Sequence, residues 1–175
     1  MKSRTKQIVF SSPLVVLLMV LSLVGCRKLK ELATIKVSSS STFDIPGAVA
    51  LSAPYSFVTP DVDNPNTGKA WLVSSAELEK VTLTIQSPAG QAFRFMQSVR
   101  FFLQADGLPE VEVANRTNID NGIGNTLELD VTGAELKEYL KKDKFRLRTE
   151  VLPDETVLEP VKIKSDLGFR VTVVI

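Results

Sequence analysis

Apolar and polar side chains alternate with a period of two along most of the chain from Thr42 to its end. Val81, Leu83 and Ile85 alternate with Thr82, Thr84 and Gln86. Val99, Phe101 and Leu103 face one way, with Arg100, Phe102 and Gln104 on the other. The same rhythm recurs at Phe43 and Ile45, at Val111 and Val113, and at Leu127, Leu129 and Val131. It returns at Phe145, Leu147 and Val151, at Val161 and Ile163, and from Phe169 through Val171 and Val173 to Ile175. Residues two apart on a strand share a face, so each run predicts a half-buried strand.

Turn-forming residues separate the runs: Ser87-Pro88-Ala89-Gly90, Asp106-Gly107, Asn121-Gly122, Pro153-Asp154 and Asp166-Leu167-Gly168. Buried parallel strands would be apolar on both faces, whereas these carry one polar face each, which predicts antiparallel pairing. The expected fold is all-β, an antiparallel β-sandwich of the immunoglobulin-like or a related kind, which buries every apolar face at once. One segment breaks the rhythm. Thr132 and Glu135 have the spacing of a capping box ahead of Leu136, Leu140, Lys141 and Lys142, so a short helix is expected near 133–142. Ser74-Ser75-Ala76-Glu77 is a weaker candidate for a single helical turn.

The amino-terminal pattern is different. Lys2, Arg4 and Lys6 precede an apolar stretch from Leu14 to Val24 whose one polar residue is Ser22. In a helix that stretch spans about 16 Å, short of the ~30 Å hydrocarbon core and suited to the apolar region of a secretory signal. It ends in Leu23-Val24-Gly25-Cys26, and Cys26 is the chain's single cysteine. This segment resembles the lipobox of bacterial lipoproteins over residues 1–26. The resemblance implies that Leu23, Val24 and Gly25 are read by the signal peptidase, that residues 1–25 are removed, and that Cys26 carries acyl chains. It further implies an exported, membrane-anchored protein. Arg27, in the position where aspartate retains such proteins at the inner membrane, favours the outer one. A structural thiol beside an uncleaved anchor helix is the competing reading.

Arg27, Lys28 and Lys30 follow the cysteine and are candidates for contact with anionic headgroups. Residues 26–41, ending in Ser38-Ser39-Ser40-Ser41, are expected to form a flexible tether, with residues 42–175 as the domain. A polar loop belonging to the domain is the alternative for the serine run.

Charge and composition narrow the function. The 175 residues hold 21 basic and 20 acidic side chains and no histidine. Without histidine, Ser-His-Asp and Cys-His catalysis are excluded, and one cysteine leaves no ordinary zinc site. Removing residues 1–25 takes Lys2, Arg4 and Lys6 and leaves a net −2, which excludes nucleic-acid binding by counterion release. Partners are expected to be the membrane, through the acyl chains, and an envelope protein or glycan.

Asp61 to Gly68 is rich in oxygen ligands but has Pro65, Asn66 and Leu72 where a calcium loop needs a fifth-position ligand, a glycine and a glutamate. It is taken as a polar loop, and Asn118 to Asn125 as a glycine-assisted turn. Asn115-Arg116-Thr117 fits a glycosylation sequon but carries little weight behind a bacterial signal. Glu110 with Glu112, and Glu128 with Asp130, lie at a spacing that suits paired carboxylates. Alternation with apolar neighbours instead suits a solvated face, with Arg146, Arg148, Lys162 and Lys164 supplying the opposite sign. Tyr55, Phe57 and Trp71 are the candidates for a ligand-binding aromatic patch, against the commoner role of core packing. No catalytic, metal or cofactor residue is assigned. The expected function is a non-enzymatic binding or structural module; the alternative is a carbohydrate-active or other acid–base enzyme using the paired carboxylates.

Overall fold

The structure is a computed structural model that describes residues 32–48, 53–63 and 72–174. Leu32–Ile175 form one compact unit. Among the described residues, nine strands follow in chain order: β1 (Leu32–Ile45), β2 (Tyr55–Val58), β3 (Val62–Asp63), β4 (Val73–Ser87), β5 (Met96–Gln104), β6 (Val111–Thr117), β7 (Thr126–Val131), β8 (Lys144–Pro153) and β9 (Val161–Val174). All pair antiparallel.

The pairing is nested. β5 pairs with β6, β4 with β7, β2 with β8 and β1 with β9, so the chain is one long hairpin. The hairpin is then rolled, since β4 also pairs with β9 and β5 with β8, giving the order β1-β9-β4-β7-β6-β5-β8-β2, with β3 beside β8. Rolling folds the path after β7 into a first sheet, β1-β9-β4-β7, and a second, β6-β5-β8-β2, and strands far apart in the order then face one another. Phe43 of β1 meets Phe101 of β5 at 6.3 Å between ring centroids, and Phe145 of β8 meets Phe169 of β9 at 6.2 Å. The result is the β-sandwich expected from the alternation, with the two-layer rolled order of a jelly roll rather than an immunoglobulin domain.

The inward rows match the sequence pattern. Val81, Leu83, Val99, Phe101, Leu127, Phe145, Leu147, Val161, Ile163 and Val171 are all buried. Each contributes about 1.5–3 kcal/mol on leaving water, so these rows supply most of the stability. Between Ala105 and Leu108 the chain turns tightly, Leu108 N–H donating to the Ala105 carbonyl at 3.1 Å. Gly107 has φ +76° there, which a side chain would resist.

Three expectations are corrected. Ser38 to Ser41 are not a tether. They lie in β1, paired with Gly168, Leu167, Asp166 and Ser165 of β9, and Ser41 Oγ lies 2.7 Å from the buried Ser165 Oγ. Serine is small enough for the pleat, and a neighbouring strand satisfies its backbone, so composition did not govern. The helix near 133–142 is absent, and the described residues contain no α-helix. Its capping groups are taken by the sheet: Thr132 Oγ1 donates to the Glu112 carbonyl at 2.8 Å, and Glu135 accepts from Ala76 N–H at 2.8 Å. One turn survives, where Leu140 N–H donates to the Leu136 carbonyl at 2.9 Å, and Leu136 and Leu140 anchor it in the core. Ser74 to Glu77 are likewise strand, part of β4 beside β9.

Candidate functional site

Most of the outward row of the second sheet is charged, and Phe102 sits at its centre. In register, Arg100 of β5 lies between Asn115 of β6 and Glu150 of β8, and Phe102 between Glu112 and Arg148. Phe102 is on the polar side of its strand, as the alternation requires, yet only 8% exposed. The guanidinium carbon of Arg148 lies 3.9 Å from its ring centroid and that of Arg100 4.9 Å. The two cations cover the ring, attracted by its quadrupole.

The same two arginines hold the carboxylates. Arg148 donates to both oxygens of Glu110, at 2.6 and 2.8 Å, to Glu150 at 3.2 Å and to Ser56 Oγ at 3.1 Å. Arg100 pairs with Glu112 and reaches Glu150 at 3.4 Å. Gln104 donates to Glu110 and Asn115 to Glu112. The Arg148 bonds hold the Glu110 carboxyl below the usual carboxylate range, and Arg100 does the same for Glu112. Arg148 is correspondingly pushed up by Glu110. Forked guanidinium–carboxylate pairs of this kind are the stronger class of surface contact. A bulge between Phe101 and Phe102 in the β5–β6 ladder turns both Val113 and Ala114 inward, which sets Glu112 against Phe102.

Glu128 and Asp130 stand apart from this network on β7, well exposed, with Lys80 at 3.4 Å and Arg116 at 3.1 Å. The structure therefore divides the four carboxylates between two places and gives every one a cation. Of the four basic residues expected to balance them, Arg148 does so directly. Arg146 pairs with Asp106 at 2.7 Å and Asp61 at 3.8 Å, and Lys164 with Asp166 at 2.7 Å.

The aromatic candidates separate. Phe57 lies 4.5 Å from the Phe43 ring, closing the open side of the sandwich, and Tyr55 lies 6.0 Å beyond it. Both are half-buried, and Phe57 packs against the core. Trp71 lies outside the described residues, as do Leu23, Val24, Gly25, Cys26, Arg27, Lys28 and Lys30. Most of the Asp61 to Gly68 loop does too, and among the described residues no cluster of three or more acidic or cysteine side chains could hold a metal. The Asn118 to Asn125 segment is a turn held by Asp120, whose carboxylate accepts from Gly122 N–H at 2.6 Å, with Ile119 buried beneath.

Sequence reasoning placed Phe102 on the polar face but did not join it to Arg148, 46 positions away. The signal was a lone aromatic between Arg100 and Gln104; its partner depends on strand order, which periodicity does not carry. On the outer face of the first sheet, Gly168 lacks a side chain between Ser38 and Lys80. A shallow depression of about 440 Å³ opens there, edged by Lys36 and Glu79. No helix among the described residues is long and apolar enough to cross a membrane.

No family model matches the chain, and no curated protein matches it either. Among solved structures it is similar to the decameric BFDV capsid protein, at 9% identity over 82% of this chain and 99% of that one, with a TM-score of 0.40. The 60-mer BFDV capsid protein gives 8%, 83%, 94% and 0.41, and the tomato aspermy virus structure 14%, 75%, 76% and 0.31. No residue or role is carried over from these likenesses.

Proposed function

We propose that the chain is a lipid-anchored lipoprotein of the bacterial cell envelope, whose β-sandwich serves as a non-enzymatic binding or structural module. One observation carries the reading: Leu23-Val24-Gly25-Cys26 closes an apolar stretch that three basic residues precede, and the chain has no other cysteine. Two or three acyl chains on Cys26, at about 0.8 kcal/mol per buried methylene, make an anchor that does not leave the bilayer on a working timescale. Arg27, Lys28 and Lys30 would lie at the headgroups, and Arg27 favours the outer membrane.

The non-enzymatic half is supported by the carboxylates. Acid–base catalysis by a pair of carboxyl groups needs one kept protonated near neutral pH beside an ionised one. Glu110 and Glu112 are both held ionised by arginines instead, so the acid–base alternative has no proton donor among them.

The test is a Cys26→Ser variant of the full chain, followed by membrane fractionation and labelling with a radioactive fatty acid. The proposal expects label on the wild type, none on the variant, and a variant chain that retains its signal and runs larger on a denaturing gel. Wild-type protein that takes up no label overturns it.

A further inference from the structure

β1 is an edge strand of unusual openness. Among the described residues it pairs on one side alone, with β9, across all fourteen positions from Leu32 to Ile45 and without a register shift. Edge strands are normally shortened, bulged, interrupted by proline or turned by charge, because their free N–H and C=O groups template further pairing. The opposite edge of this sandwich is defended in that way. β2 has four residues, with Pro54 before it and Pro60 after it. β4, the longest strand, carries three register shifts. β1 has no bulge, its only neighbouring proline is Pro46 beyond its end, and its one basic and one acidic side chain are Lys36 and Asp44.

Those two charges are placed symmetrically about Ser40, and so are the other residues from Ile35 to Ile45. When β1 lies antiparallel to a second β1 with Ser40 opposite Ser40, Lys36 of each copy faces Asp44 of the other on the outer surface, and Ser38 faces Thr42. On the inner surface Ile35 faces Ile45, Val37 faces Phe43 and Ser39 faces Ser41. Apolar meets apolar, hydroxyl meets hydroxyl, and opposite charges meet twice. Sliding by one step of the pleat either way destroys this. Centred on Ser39, Val37 meets Ser41 and Asp44 meets Thr34; centred on Ser41, Phe43 meets Ser39 and Lys36 meets Pro46. Asp44 is exposed and makes no ion pair among the described residues, and Lys36, 77% exposed, reaches only Glu79 at 3.3 Å. Ile35 points inward but is 38% exposed.

We propose that two copies of this chain associate through β1, antiparallel about a twofold axis at Ser40, joining their first sheets into one continuous sheet. An isologous contact of this form requires self-complementarity, in which residue i meets j and j meets i. The serines at the centre let the two backbones approach with no bulky side chain between them, and cross-strand hydroxyl pairs of this type are favourable. The inference stands on the strand and does not depend on the lipid.

The test uses the full-length chain with single cysteines introduced into β1, treated with a short-armed thiol cross-linker and read on a denaturing gel against wild type. Ser40→Cys is expected to give a covalent dimer, because the axis places that residue opposite itself. Ser38→Cys alone is expected to give none beyond wild type, since two such residues lie ~13 Å apart along the paired strands, well outside disulfide-like reach. Co-expressed Ser38→Cys and Thr42→Cys chains are expected to link. In the Ser40→Cys background, Lys36→Asp should lower the linked fraction severalfold, and adding Asp44→Lys should restore it. Absence of a link at position 40, or equal linking at positions 38 and 40, overturns the proposal. A link in wild type itself would expose a free Cys26 thiol, which counts against the lipid anchor and leaves the contrast between positions 38 and 40 to be read with Cys26→Ser added.

Discussion

Arg148 lies 3.9 Å over the ring of Phe102, from a strand 46 residues further along the chain. The ring needs cover because it stands on the outward face, and the guanidinium supplies it while holding Glu110 in a fork. An Arg148→Ala variant therefore loses the cation over the ring together with the contacts to Glu110, Glu150 and Ser56. Cation–π contact and a half-exposed ion pair each contribute about 0.5–1 kcal/mol. Urea unfolding should show a loss of about 1–2 kcal/mol. Arg148→Lys should recover only part, since an ammonium cannot make the forked contact. Equal stability of Arg148→Ala and wild type would remove any structural role for the stack.

The same network makes stability depend on acid. Glu110 and Glu112 have folded values below the ordinary 4.5, because each accepts hydrogen bonds from an arginine. A lowered folded value means that the contribution is fully present above the unfolded value and is lost as pH falls through the folded one. Thermal melts from pH 7 downward should stay level to about pH 5 and then fall steadily through the carboxylate range. Glu110→Gln should start lower at pH 7 and fall less steeply. A variant that is as acid-sensitive as wild type would place the titration elsewhere.

The inward rows were legible because large apolar residues alternate with polar or charged ones, as at Leu83 and Ile85 or Phe145 and Leu147, and burial of those side chains fixes which face turns in. The serine run was not. Small polar residues give no contrast between faces, so Ser39 and Ser41 looked like their neighbours although Ser41 meets the buried Ser165. The capping box failed for a different reason. Its side chains were suited to a helix end but found strand backbone to bind, at Glu112 and Ala76. Partnership between distant strands, which creates the Arg148–Phe102 contact, is a property of the roll and is not written in any local window. The resemblance of Leu23-Val24-Gly25-Cys26 to a lipobox needed no fold to be seen, since it rests on four adjacent residues.

Thr149 occupies an inward position of β8 with its hydroxyl buried and without a hydrogen-bond partner among the described residues. It interrupts the apolar row between Leu147 and Val151, opposite Phe101 and Phe57. A buried hydroxyl left unsatisfied costs about 1–3 kcal/mol. Thr149→Val keeps the branched shape and removes the oxygen, so it should raise stability by about 1 kcal/mol in denaturant unfolding. Thr149→Ala should lower it by leaving a gap. A destabilised Thr149→Val would mean that the hydroxyl has a partner outside the described residues.

Deleting residues 32–41 separates a tether from a strand. Were this segment a spacer, the domain would melt as before. As the first ten residues of β1 it lies along β9, against Val171, Phe169 and Leu167, all of them buried. Its removal opens one flank of those side chains and strips the hydrogen bonds from β9, which then becomes the edge. With each fully exposed apolar side chain costing about 1.5–3 kcal/mol, partial exposure of three should cost several kcal/mol, a large share of the 5–15 kcal/mol that holds an ordinary domain together. The deletion variant should melt at a much lower temperature or without a cooperative transition, followed by circular dichroism at the strand wavelengths. It should also expose the β9 edge to further pairing and pellet more readily on heating. An unchanged melt would return these residues to the role their composition suggested.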